Sequence, residues 1–155
     1  MEVAYRFGFD AAHHFENYPA GHPYRGIHGH SFQVEVAIEG APDPTSGFVA
    51  DLGEVQAACG EVREALDHRM LNEIEGLAKP SLENICLWIW RPLSARFPGL
   101  ARVTVRRDSC GQSCTYTGSE PNFREETPST EIGVTPIFWN KLADEVAGKP
   151  DHEVE

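Results

Sequence analysis

His28-Gly-His-Ser-Phe-Gln-Val-Glu-Val-Ala-Ile-Glu39 is the stretch on which the fold turns. From Phe32 onward, Phe32, Val34, Val36 and Ile38 alternate with Gln33, Glu35, Ala37 and Glu39 until Gly40. A period of two is the mark of a strand with one buried face. If this strand begins at His28, both imidazoles of His28-Gly-His30 project from the same face, because residues two apart on a strand do so. Upstream, Val3, Tyr5, Phe7 and Phe9 alternate with Ala4, Arg6 and Gly8, which predicts a first strand ending near His13-His14. Residues 15–27 hold Pro19, Gly21, Pro23 and Gly26 and read as a loop.

Downstream the period changes. After the turn-rich Ala41-Pro-Asp-Pro-Thr-Ser-Gly47, Asp51 has the character of an N-cap, and Leu52, Val55, Ala58/Cys59, Val62 and Leu66 recur at helical spacing over about four turns. Ser81 caps a second expected helix carrying Leu82, Ile85, Cys86, Ile89 and Leu93, which ends early or kinks at Pro92. A third strand at Val103 to Val105 and a fourth around Thr115 to Thr117 bracket Cys110-Gly-Gln-Ser-Cys114, expected as a hairpin loop. The order β, β, α, α, β, β predicts an α+β fold, with two helices on one face of a four-stranded antiparallel sheet.

The chain has 155 residues and a net charge of −11, a length that suits one domain. Residues 119–155 hold nine acids and three bases and so carry −6 of that charge. We therefore expect a domain at 1–118 and an acidic C-terminal extension at 119–155. The extension includes a possible short helix at 137–147 and Trp139, an aromatic suited to docking on a neighbouring surface. The acidic field argues against nucleic acid and anionic membranes as general partners. No stretch approaches the ~20 apolar residues of a membrane span, and no basic-then-apolar leader opens the chain. Four scattered cysteines, Cys59, Cys86, Cys110 and Cys114, do not form a disulfide framework; reduced thiols and a cytoplasmic location are expected.

The histidines carry the chemistry. Neutral imidazole is a common zinc ligand, and His13 at the end of strand one, beside His28 and His30, would give three ligands with an open fourth position, the arrangement of catalytic zinc. The competing reading is a set of polar loop histidines. Cys110 and Cys114 suggest a second metal only weakly, and His14 and His22 read as solvated loop residues that could stand in as bases.

Phe9-Asp-Ala-Ala-His13, His28-Gly-His30-Ser31, Asp43-Pro-Thr-Ser-Gly-Phe-Val-Ala-Asp51, Leu66-Asp67-His68-Arg-Met-Leu71-Asn72, Pro80-Ser81-Leu82-Glu83-Asn84 and Cys110 to Tyr116 occur in one order over residues 3–118. In these segments the sequence resembles the 6-pyruvoyltetrahydropterin synthase and 6-carboxytetrahydropterin synthase group. The resemblance implies a tunnelling fold whose subunits close into a barrel, a hexamer of two trimers. It also implies an active site between subunits and Zn2+ on His13, His28 and His30. The implied activity is that of a zinc-dependent lyase acting on a reduced pterin such as 7,8-dihydroneopterin triphosphate, in queuosine or biopterin biosynthesis. His68 with Asp67 takes the acid/base role by the same resemblance.

Two departures stand out. Where the commonest members carry a catalytic cysteine, four residues before His28, this chain has Tyr24. A phenol's ordinary pKa lies about 1.5 above a thiol's, roughly 2 kcal/mol less access to the anion. The family's pterin-anchoring glutamate corresponds to Asp108, one methylene shorter, while Glu83 and Ser81 match pocket-lining residues that also suit a helix start. Arg69, Arg106 and Arg107 are candidate charges for a triphosphate. The alternatives are retro-aldol cleavage of the dihydroneopterin side chain, or a catalytically silent pterin-binding oligomer.

Overall fold

Alternation builds a single sheet of order β1-β2-β3-β4. Strands β1 (Glu2–His13) and β2 (His28–Glu39) pair antiparallel along their whole length, from Glu2 opposite Glu39 to His13 opposite His28. β3 (Leu100–Arg107) and β4 (Gln112–Tyr116) complete it, again antiparallel. The computed structural model describes residues 1–118; the acidic extension, the helix expected at 137–147 and Trp139 lie outside the described residues. Cys114 stands inside β4, so the loop between the last two strands is shorter than expected. It is a 3-10 turn at Asp108–Cys110 closed by Gly111 in the left-handed region, φ 63.

The core lies on one face. Phe7, Phe9 and Ala11 of β1, Phe32, Val34, Val36 and Ile38 of β2, and Val103 and Val105 of β3 are buried there. Helix α1 (Leu52–Leu66) contributes Val55, Ala58, Cys59, Val62 and Leu66, and α2 (Leu82–Arg96) contributes Leu82, Ile85, Cys86, Trp88, Ile89 and Leu93. Both start as expected. The Asp51 carboxylate accepts from Gly53 N–H at 2.7 Å, and the Ser81 hydroxyl from Asn84 N–H at 3.3 Å. Helix α2 does not end at Pro92 but continues to Arg96. Proline removes one backbone bond, whereas Ile89 and Leu93 on either side of it are 0% and 2% exposed, so core packing outweighs the local cost.

The other sheet face is polar. Glu35, although 8% exposed, is held by Arg6 and by Arg102 at 2.5 Å, and Arg102 also pairs with Glu2 at 2.8 Å. Thr104 and Thr115 share a hydrogen bond of 2.9 Å across β3 and β4. At the end of β2 the chain passes so close that a Cβ on Gly99 would stand 2.7 Å from the Glu39 carbonyl oxygen. Only glycine fits without a shift. All four cysteines are free.

Candidate metal centre and its cleft

Full pairing of β1 with β2 places His13 opposite His28 and Ala11 opposite His30 at the end of the sheet. The three rings sit 4.6 to 5.1 Å apart between centroids, and one ligand atom from each lies within 4.8 Å of the others. His13 Nδ1 is 2.9 Å from the Pro80 carbonyl oxygen, and His28 Nδ1 is 2.8 Å from that of Gly26. A carbonyl only accepts, so both Nδ1 atoms donate, and when the rings are neutral each Nε2 carries a lone pair. Neither Nε2 has a hydrogen-bond partner, and both are out of solvent. Burial pushes His13 down to about 4 and lowers His30 as well, His30 being lowered further by the Arg107 charge. Both rings are therefore neutral near pH 7, with the character of metal ligands. Buried, unpartnered nitrogen lone pairs converging from neutral imidazoles fit zinc.

Beside the histidines opens a cleft of about 360 Å³ whose wall includes Tyr24, Ser81, Glu83, Arg107, Gln112 and Ser113. The Tyr24 ring stacks on His28 at 5.9 Å. Glu83, in the first turn of α2, is lowered chiefly by a hydrogen bond from the Ser81 hydroxyl. Arg107 ends β3 with Nη1 donating to His30 Nε2 at 3.2 Å and Nη2 donating to Gln112 at 2.7 Å. Tyr24, Ser81 and Glu83 thus come together as a group near the imidazoles.

Asp67 and His68 stand elsewhere. Asp67 caps the end of α1, accepts from Asp10 N–H at 2.9 Å and lies 3.0 Å from His68 Nδ1. These contacts, the Asp10 amide first, hold its carboxyl below the usual carboxylate range. His68 N–H donates to the Asp10 carbonyl at 2.6 Å, and Ala12 N–H to the Arg69 carbonyl at 3.0 Å, so residues 68–70 run along the edge of β1. Its φ is 57, a left-handed conformation uncommon outside glycine and frequent at functional positions. Its side chain is 80% exposed and lines a second cleft with Asp10, Ser31, Met70 and one of the three histidines, His30. Asp10, Asp67 and His68 form their own group, apart from the three histidines.

Asp108 is exposed, pairs with Arg106 at 3.2 Å and does not line the cleft with Ser81 and Glu83. Arg107, one of the three arginines the sequence offered for a triphosphate, does, with Gln112 and Ser113, which the sequence had not placed there. The available signal was parity: Val103 and Val105 face the core, so Arg107 shares their side of β3. Neither Cys110 nor Cys114 joins a candidate metal group among the described residues, although Cys110 Sγ comes 4.0 Å from His30 Nδ1. The His14 backbone is tied to Asn72, and the His22 ring stacks on Tyr18 at 4.4 Å.

The profile of the family described as 6-pyruvoyl tetrahydropterin synthase matches residues 2–119. The chain belongs to that family. It is 36% identical over 106 residues to a putative 6-carboxy-5,6,7,8-tetrahydropterin synthase of Archaeoglobus fulgidus, covering 68% of this chain and 86% of the relative. A dihydroneopterin monophosphate aldolase of Pyrococcus furiosus is 36% identical over 97 residues, 63% of this chain and 78% of the relative. Among solved structures, the 6-pyruvoyl tetrahydropterin synthase of Caenorhabditis elegans aligns with a TM-score of 0.69 at 26% identity, covering 77% of this chain and 96% of that one. The α+β sheet with two helices is thus the tunnelling fold of a pterin-processing family. No helix among the described residues is long and apolar enough to cross a membrane.

Proposed function

We propose that this 6-pyruvoyl tetrahydropterin synthase family member is a zinc-dependent lyase acting on a reduced pterin such as 7,8-dihydroneopterin triphosphate, forming a 6-substituted tetrahydropterin. The observation that carries the reading is the pair of buried, unpartnered Nε2 atoms of His13 and His28, meeting His30 beside a cleft that holds Tyr24, Ser81 and Glu83. His13, His28 and His30 would hold the zinc, which when bound would supply a Lewis acid for the oxygens of the pterin side chain. Glu83, ionised and steadied by Ser81, accepts hydrogen bonds from the donor edge of the ring. Tyr24, packed on His28, is positioned to hand over or take a proton at the side chain. Asp67 orients the His68 imidazole, so that His68 moves the second proton.

His68 lines a different cleft from Tyr24, Ser81 and Glu83, although His30 borders it; that separation supports a site shared between copies, with His68 of one chain completing the Tyr24 and Glu83 cleft of another. Among the described residues, a polar sheet face and open strand edges favour the same assembly, a barrel in a hexamer of two trimers, because closure removes exposed edges.

A second reading, retro-aldol cleavage of the dihydroneopterin side chain, is favoured by Tyr24 at the usual cysteine position and by the Pyrococcus relative whose name is that of an aldolase. The test is to incubate zinc-loaded protein with dihydroneopterin and with its triphosphate, following triphosphate and aldehyde release. Triphosphate release supports the synthase reading. Aldehyde without triphosphate supports the aldolase. Turnover by Tyr24→Cys but none by the wild type identifies a silent binding protein and overturns both.

A further inference from the structure

We propose that Asn72 is a positioning residue for the metal centre, setting its zinc affinity by clamping both the strand end that carries His13 and the carbonyl that orients the His13 ring. The proposal rests on the zinc reading and extends it to a residue outside the three ligands. The clamp begins where strand pairing runs out. Toward β2, β1 ends with His13 opposite His28. On its other edge Ala12 N–H donates to the Arg69 carbonyl at 3.0 Å and Ala12 bridges Met70, after which the chain leaves the edge for a 3-10 turn at Leu71–Glu73. There the Asn72 side chain takes over. Its Oδ1 accepts from His14 N–H at 3.0 Å, and its Nδ2 donates back to the His14 carbonyl at 3.0 Å. A side-chain amide thus stands in for the peptide of a neighbouring strand, one residue beyond the ligand.

The same Nδ2 also donates to the Ala78 carbonyl at 3.1 Å. An amide nitrogen has two N–H groups, so its donors are fully committed. Two residues on, buried Pro80 presents its carbonyl to His13 Nδ1 at 2.9 Å. From the other side, Ser81 N–H and Asn84 Nδ2 donate to the Lys79 carbonyl at 2.9 and 2.8 Å. Residues 78–80 are therefore set between Asn72 and the first turn of α2, the helix that carries Glu83. A ring of bonds closes, from the His13 imidazole through Pro80 and Ala78 to Asn72, and back through His14 to His13. It fixes the His13 tautomer and the direction of Nε2, the buried nitrogen without a hydrogen-bond partner. A ligand whose lone pair is aimed in advance needs less ordering when it binds, and loss of such outer support typically costs about 10- to 100-fold in metal affinity.

The experiment takes two readings on the full chain: zinc affinity by competition with a chelator, and the His13 tautomer by long-range proton–nitrogen NMR of the metal-free protein. Wild type is expected to show His13 as a single Nδ1–H tautomer. Asn72→Ala should show a mixture of tautomers and bind zinc about 10- to 100-fold more weakly. Asn72→Asp, nearly the same shape, keeps an acceptor for His14 N–H but has no donor for the His14 and Ala78 carbonyls, and should change both readings in the same direction. Gly99→Ala, forced against the Glu39 carbonyl at the far end of β2, controls for plain loss of stability and should keep both readings at wild type. Wild-type zinc affinity or an unchanged tautomer in either Asn72 variant overturns the proposal, as does an equal loss of zinc affinity in Gly99→Ala. Should Asn72→Ala fail to fold, Asn72→Asp decides by the same two readings. If wild type takes up no zinc, the zinc reading fails on its own. The tautomer then decides for Asn72: a mixture in the variants sustains the clamp, and a single Nδ1–H form overturns it.

Discussion

His13 and His28 are oriented by what their other nitrogens do. Each commits Nδ1 to a backbone carbonyl, so each keeps Nε2 for something else, and burial keeps His13 uncharged down to about pH 4. Protein purified without chelator is accordingly expected to hold about one zinc per chain, and His13→Ala or His28→Ala to hold essentially none. Elemental analysis of the folded variants checks this; zinc unaffected by His28→Ala would remove the ligand assignment. Tyr24 makes a separable claim. Tyr24→Phe keeps the ring packed on His28 at a similar volume and removes only the hydroxyl, so zinc content should hold while kcat falls about 10²- to 10⁴-fold, the range of a lost acid or base. A fall in zinc content with kcat would assign Tyr24 to shaping the site instead.

At the scale of elements, β2 joins the two sheet faces, histidines and core on one side and Glu35 on the other. Hydrogen bonds from Arg102 and Arg6 hold the Glu35 carboxyl below its ordinary 4.5. The unfolded chain therefore binds the proton more readily, so the stabilisation is present above about pH 4.5 and is lost as pH falls through the folded value. Glu35→Gln should cost roughly 1–3 kcal/mol at pH 7 by stranding the two arginines, and should flatten the stability profile below pH 4.5; denaturant melts at pH 7 and 3.5 read both effects. Gly99→Ala, forced against the Glu39 carbonyl, should cost about 1–3 kcal/mol at any pH. Much of this was legible in the sequence. Period two found the strands, and Asp51 and Ser81 marked the helix starts, because capping and alternation are local. Pro92 did not end α2 early because core contacts made by Ile89 and Leu93 are not local. Arg107, offered by the sequence as a charge for a triphosphate, reaches the cleft because it shares the parity of Val103 and Val105, whereas Asp108 begins the turn after β3 and pairs with Arg106.

At the scale of the whole molecule, Tyr24 and Glu83 line one cleft of a chain while His68 lines another that His30 borders, and the exposed, left-handed His68 stands at the β1 edge. If a neighbour's His68 completes each Tyr24 and Glu83 cleft, the two halves of the proposed chemistry are genetically separable. His28→Ala and His68→Ala should each be inactive as pure oligomers. When the two are denatured together in equal amounts and refolded, a site regains both halves only where a chain with intact His28 meets a neighbour with intact His68. Random assembly makes about a quarter of the sites complete. Activity of the mixture near a quarter of wild type, with none when the variants are refolded apart and then combined without exchange, is the expected result. Because His68→Ala leaves the imidazole cluster intact, its zinc content should equal wild type, which separates a lost proton carrier from a lost metal. A single chain that brought its own His68 to its own cleft would give no restoration at any mixing ratio, since every site would then carry one of the two lesions.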